Sequence, residues 1–215
     1  METLTLEPLK PTQFDAATDL LCAAFADDPQ CHYLVPADVG DRPALMAYLF
    51  RLLLICGGDH GYCLTDTDGQ TLKGVAIWLP PGQSVSLMNL LRAGLYELPF
   101  RLPWPYLPRW QIVLTLDRYH HQAMPMPHWY LMLLAVSPRY QRQGVGHQLI
   151  QPVLEECDRT HQPCYLETST AGALRFYQRH GFEILKTGPF ADQAPPYWTL
   201  RRQPEANEAR SASLG

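Results

Sequence analysis

Trp129-Tyr130-Leu131-Met132-Leu133-Leu134-Ala135-Val136, followed after four residues by Gln141-Arg142-Gln143-Gly144-Val145-Gly146, is the stretch that decides the fold. The first part is an almost unbroken apolar run, the pattern of a strand buried on both faces. From Gly144 to Cys157, the apolar residues Val145, Leu149, Val153 and Cys157 recur every four positions, which is one face of a helix. Pro152 within that helix is expected to kink it. Two glycines at the junction let the backbone turn tightly and approach a ligand closely. The amides of the loop and first helical turn then converge beside the positive end of the helix dipole, an arrangement that binds a pyrophosphate. Arg142 adds a charge. A dinucleotide fingerprint would need glycine at Leu149, and a Walker loop would need Gly-Lys-Ser/Thr, so neither fits. The same glycines also suit a plain strand-to-helix turn.

Downstream, Cys164 to Glu167 reads as a short strand, Ala171 to His180 as a short helix and Phe182 to Lys186 as another strand. Phe176-Tyr177-Gln178-Arg179-His180-Gly181-Phe182 ends that helix with Gly181 as a left-handed cap. Pro196 to Arg201 closes the sheet, and residues 203–215 are polar and small, the composition of a flexible tail. Upstream, Thr3 to Glu7 alternates like a strand. Thr12 is placed to cap a helix through Phe14, Leu20, Leu21, Ala24 and Phe25, which Asp28-Pro29 stops. A helix from Arg42 to Cys56 is expected to end at Gly57-Gly58, and strands at Gly61 to Thr65 and Leu72 to Leu79 to join through Asp68-Gly69. Between residues 80 and 127 the texture changes: Pro99, Pro103, Pro105, Pro108, Pro125 and Pro127 alternate with Trp104, Tyr106 and Trp110. Short helices are expected there at Leu87 to Leu98 and Trp110 to His121, forming an insert in one domain that spans residues 1–202.

With 215 residues, 47% of them hydrophobic and 11% aromatic, the chain can bury a core of its own. A net charge of −4 gives no reason to expect nucleic acid or an anionic membrane as partner. The N-terminus lacks the pattern of a secretory signal, and the greasiest stretch, Ala44 to Cys56, is broken by Arg51 and too short to span a bilayer. Six cysteines, without a CxxC pair, read as reduced thiols of a cytoplasmic protein.

The glycine loop after a buried strand and the Phe176-Tyr177 to Gly181-Phe182 segment about thirty residues later, in that order, resemble the GNAT superfamily of N-acetyltransferases. Within it, Pro127-His128-Trp129-Tyr130-Leu131, Leu166-Glu167-Thr168-Ser169, Pro195-Pro196-Tyr197-Trp198 and Ala23-Ala24-Phe25-Ala26-Asp27-Asp28-Pro29 are similar to the puromycin N-acetyltransferase branch. Ala173 departs from that branch, where asparagine commonly helps to hold the cofactor.

The resemblance implies an α/β (α+β) fold: a mixed, strongly twisted sheet of six or seven strands flanked by helices, with the fourth and fifth strands splayed. It implies acetyl-coenzyme A as co-substrate, its pantetheine arm pairing with the backbone of Leu134, Ala135 and Val136. Its pyrophosphate would lie on Gln141, Arg142, Gln143, Gly144, Val145, Gly146 and His147. Tyr177 is the expected general acid for the departing thiolate, close to the cofactor; spacing alone favours a core aromatic there, and the motif match reverses this. Glu167, a charged residue ending a buried strand, is the expected general base; a salt bridge or helix cap would also explain it. His121 and His32 are weaker candidates. His120, His121 and His128 match no standard ligand spacing, so no metal is expected. Phe25, Tyr33, Trp78, Trp110 and Tyr119 are candidates for lining an acceptor pocket. The implied activity is direct acetyl transfer to a small amine, by a monomer or homodimer. Acetylation of a peptide N-terminus or lysine, or a non-catalytic acyl-coenzyme A sensor, are the alternatives.

Overall fold

The computed structural model describes residues 7–68, 71–85 and 87–205. Among these, a seven-stranded sheet runs in the order β1-β2-β3-β4-β5-β7-β6. Its strands are β1 (Glu7–Pro8), β2 (Tyr62–Asp68), β3 (Thr71–Leu79), β4 (Trp129–Val136), β5 (Cys164–Thr168), β6 (Glu183–Gly188) and β7 (Tyr197–Arg202). All neighbours are antiparallel except β4 and β5, which are parallel. The expected strand over residues 3–7 falls mostly outside the described residues, as does Gly69 of the expected turn; the described part of the first strand is Glu7–Pro8.

The helices are α1 (Phe14–Ala24), α2 (Pro29–Leu34), α3 (Arg42–His60), α4 (Leu87–Ala93), α5 (Leu98–Arg101), α6 (Gln111–Ala123), α7 (Val145–Thr160) and α8 (Ala171–Gln178). Several boundaries differ from expectation. Thr12 does not cap α1; it sits inside a 3-10 turn, Pro11–Gln13, whose start is held by the Gln13 side chain accepting from the Lys10 amide at 2.9 Å. Helix α1 ends at Ala24, and Asp28-Pro29 instead starts α2, with Asp28 accepting from the Cys31 amide at 3.0 Å.

Helix α3 runs straight through Gly57-Gly58 to His60. The reason is tertiary: a Cβ on Gly57 would stand 2.4 Å from Ile77 Cγ2, so this glycine lets α3 close on β3 rather than ending it. Likewise α7 continues through Pro152, which forfeits one internal hydrogen bond on a helix otherwise held by Leu149, Ile150, Val153 and Leu154. In the insert, the expected helix over 87–98 is two short helices, α4 and α5, separated by a 3-10 turn at Leu95–Glu97, while α6 starts at Gln111 after a proline-rich 3-10 segment, Trp104–Trp110.

Helices cover both faces of the sheet. Val75, Ile77, Leu133 and Ala135 pack with α1 and α3, whereas Ala76, Trp78, Trp129, Leu131 and Leu200 pack with α7 and α8. Leu131 and Leu133 face opposite sides because the register shifts from Ile77↔Leu133 to Trp78↔Leu131, leaving Met132 as a bulge residue. Strand β4 is therefore not buried evenly on both faces; buried and half-buried residues alternate along it.

Candidate active site

The sheet opens between its parallel strands. Trp129, Tyr130 and Leu131 pair with Cys164, Tyr165 and Leu166, and among the described residues the pairing of β4 with β5 stops there although both strands continue. On its other side β4 stays paired with β3, through Ala76↔Leu134, Val75↔Ala135 and Gly74↔Val136. Leu134, Ala135 and Val136 thus have no strand paired on their gap side among the described residues. An extended chain carrying amides can add to such an edge.

Directly after it lies the loop from Gln141 to His147. Arg142 and Gly144 both take left-handed backbone conformations, with φ of 61° and 87°, and Gly144 is the N-cap of α7. Gly144 needs no room for close packing, since a Cβ there would meet nothing nearer than 4.0 Å; its positive φ is the constraint. At Gly146 a Cβ would stand 3.4 Å from the Phe176 ring of α8, ordinary van der Waals contact, so neither backbone nor packing demands glycine there. Side chains tie the loop back: Gln143 donates to the Arg139 carbonyl at 2.8 Å and Gln141 to the Val136 carbonyl at 3.3 Å. Alternating backbone handedness at a helix start turns successive amides toward one point and makes an anion cradle. The loop can take an anionic group, and the edge beside it an extended chain that carries amides. His147 adds a contact to α8, where its Nδ1 lies 2.9 Å from Nε2 of His180, whose own Nδ1 donates to the Phe176 carbonyl.

Glu167 and Tyr177 lie on opposite faces of the sheet, flanking the gap. Tyr177 belongs to the cluster with Leu166 and Leu200, its ring packed edge-on to Phe182 at 5.7 Å, and burial raises its hydroxyl above the ordinary phenol range. Glu167, one residue beyond the last β4–β5 pair, points with Tyr165 to the other face. There it accepts from the Tyr130 hydroxyl at 2.8 Å on Oε2. The Tyr165 hydroxyl is aimed at Glu167 and Thr199 without a well-formed bond to either. No ion pair to Glu167 occurs among the described residues. Burial therefore pushes its carboxyl up to about 7, against the lowering effect of the two phenols. Tyr197, from β7, is raised first by burial and then by Glu167, and it feels the Tyr177 hydroxyl as well.

Three segments roof this carboxyl. Ile112 and Leu116 of α6 and Phe190 from the β6–β7 connection form a small core with Tyr33, Leu34, Tyr119 and Tyr197. The Tyr33 hydroxyl donates to the Asp192 carbonyl at 3.1 Å, joining α2 to that connection. Ser169, just after β5, donates to Asp28 at 2.9 Å, joining it to the start of α2.

Of the aromatic candidates, Tyr33 and Tyr119 border this roof. Phe25 instead stacks on Phe50 at 5.4 Å within the α1–α3 core, Trp78 is fully buried under α7, and Trp110 packs against the α1–α3 cluster. His121 and His32 are exposed. His120 and His128 bond to each other, and among the described residues no group of three or more His, Cys, Asp or Glu is placed to hold a metal. Also among them, no helix is long and apolar enough to cross a membrane. The residues that the sequence did not single out are Tyr130, Tyr165, Tyr197 and His120. Tyr165 and Glu167 stand two apart on a strand, which was a legible sign of a shared face; the others depend on register and on the path of the insert.

Residues 111–184 match the family model described as acetyltransferase (GNAT) domain. An uncharacterized N-acetyltransferase of Schizosaccharomyces pombe is 26% identical, over 93% of this chain and 83% of its own. A solved structure from Corynebacterium glutamicum, described as histone acetyltransferase HPA2 and related acetyltransferase, superposes with a TM-score of 0.66 at 24% identity, covering 95% of this chain and 98% of its own. Arylalkylamine N-acetyltransferase 2 of Aedes aegypti superposes with a TM-score of 0.61 at 15% identity, covering 95% of this chain and 100% of its own.

Proposed function

We propose that this chain, an acyltransferase of the GNAT superfamily, moves acetyl from acetyl-coenzyme A directly onto the amine of a small molecule. In this reading it is one domain over residues 1–202, with residues 80–127 as the part that closes over the acceptor. Acetyl-coenzyme A supplies an activated thioester carbonyl; the chain's residues hold it, align the amine and move two protons. Leu134, Ala135 and Val136 pair with the pantetheine arm, and the amides from Gln141 to His147 take the pyrophosphate.

An acceptor amine arrives mostly as ammonium and must lose a proton before its lone pair can attack. Glu167 is the general base: a carboxyl held near 7 is half ionised at neutral pH and close in basicity to what the step requires. Tyr177 is the general acid. Its hydroxyl is protonated at neutral pH, as any phenol is and the more so for its burial, and it can give a proton or a hydrogen bond to the departing sulfur. One acts from each face of the gap. A cysteine intermediate has little support: Cys31 and Cys63 are pushed up by burial, the reverse of an activated thiol.

The observation that carries the small-acceptor reading is the roof over Glu167, closed by the Tyr33–Asp192 bond. A peptide would need an open groove where α2, α6 and the β6–β7 connection meet. The test is a panel of alkyl, arylalkyl and polyamines beside peptides with free N-termini or lysines, each with acetyl-coenzyme A, following thiol release. Turnover confined to small amines supports the proposal. Preference for peptides would overturn the acceptor class, and tight coenzyme A binding without any turnover would point to a sensor.

A further inference from the structure

Glu167 is braced by a chain of contacts that begins outside the catalytic strands. His128 Nδ1 lies 2.7 Å from the Met126 carbonyl oxygen, a contact only an N–H can make. Its Nε2 is then the acceptor of a neutral ring, and His120 Nε2, at 2.6 Å, carries the hydrogen between them. Burial lowers both imidazoles, His120 to about 3, so the pair stays neutral and its tautomers are set. The His120 ring, so fixed, stacks on Tyr165 with centroids 4.2 Å apart and planes 9° from parallel, and lies 4.5 Å from the Tyr130 ring. Tyr130 and Tyr165 are themselves register partners, and Tyr130 donates to Glu167 Oε2.

We propose that Tyr130, with His120 and His128 behind it, is a positioning device for Glu167, engaging Oε2 so that Oε1 is the atom that takes the acceptor's proton. This rests on the reading of Glu167 as general base. The geometry explains why the end of the insert reaches the active site at all. A half-buried carboxyl with no cationic partner among the described residues tends to protonate and rotate; one charge-assisted donor held by stacked rings limits both. The groups facing the carboxyl are Tyr130 from β4, Tyr165 from β5, Tyr197 from β7 and Asp117 from α6, with His120 of α6 behind the rings of Tyr130 and Tyr165. Asp117 raises the carboxyl and the two phenols Tyr130 and Tyr165 lower it, so loss of the Tyr130 hydroxyl has a definite sign.

The test reads Glu167 directly. With glutamate labelled by ¹³C at the side-chain carboxyl, the Glu167 resonance is assigned by its loss in Glu167→Gln and titrated. In Tyr130→Phe its midpoint is expected to rise by about one pH unit, since a donor to the charged form is removed. His120→Phe keeps the ring but loses the bond to His128, and should raise the midpoint less. In the double variant the His120 change should add nothing, because its effect passes through the Tyr130 hydroxyl. An unmoved midpoint in Tyr130→Phe or in His120→Phe, or shifts that simply add, would overturn the proposal. If His120→Phe does not fold, His128→Ala removes the same acceptor and stands in its place in the cycle. Turnover of Glu167→Gln on an amine from the panel separates the two readings: full activity would remove Glu167 as base, whatever the titration shows.

Discussion

Replacing Glu167 with glutamine keeps the side chain's shape and an oxygen that accepts from Tyr130, but removes the titration. In the unfolded chain the carboxyl ionises near 4.5, whereas in the fold it holds its proton up to about 7. That difference corresponds to about 3 kcal/mol between its two protonation states. The sign follows from proton counting. Between those two values the unfolded chain has released a proton that the folded chain retains, so folding stability falls as pH rises through this window and levels off above it. Below about 4.5 both states are protonated and the group contributes nothing. Glu167→Gln has no such slope. Relative to the wild type it should gain about 2 to 3 kcal/mol between pH 5 and pH 8, on the order of 5–10 °C in Tm. Urea melts of both proteins at the two pH values measure this, and their difference cancels every other titrating group. A gap of the same size at both pH values would mean that Glu167 is already ionised in the fold at pH 5, refuting the argument from burial. The same variant should lose turnover by about 10² to 10⁴-fold if the carboxylate is the base.

Tyr177→Phe keeps the ring packing and should lower turnover by about 10²-fold at saturating acetyl-coenzyme A, with little change in cofactor affinity by calorimetry; normal turnover would leave Tyr177 as a core aromatic. Gly144→Val forces a β-branched residue into a φ of 87°, and coenzyme A affinity should fall about 5- to 30-fold, since that conformation costs about 1–2 kcal/mol. Initial rates should give intersecting double-reciprocal lines, as for a ternary complex, and parallel lines with a trapped acetyl-cysteine would refute direct transfer. Asp158→Asn removes the bidentate carboxylate from Arg202, which is 6% exposed and held at 2.7 and 2.8 Å, and leaves it Glu205 at 3.5 Å; it should cost about 2 kcal/mol in urea melts without altering coenzyme A affinity.

Much of the glycine-loop side of the gap was legible because it is local. The apolar run from Trp129 to Val136, the glycines at 144 and 146 and the cap at Gly181 each act within a few residues of where they stand, so their meaning survives without a partner strand. Gly181 does take a φ of 81°, and Phe182 does follow with its amide on the Tyr177 carbonyl. Gly57-Gly58 misled for the converse reason: local propensity favours a helix end there, but the approach of Ile77 outweighs it. The sequence by itself determined the order of strands and helices, the glycine loop and the family likeness. Only the tertiary structure decided what surrounds Glu167. Tyr130 and Tyr197 reach it through strand register, and His120 is brought behind Tyr130 by the path of the proline-rich insert; both depend on contacts between residues far apart in the chain. The carboxyl's rise to about 7 is likewise a property of burial, which no spacing along the sequence encodes.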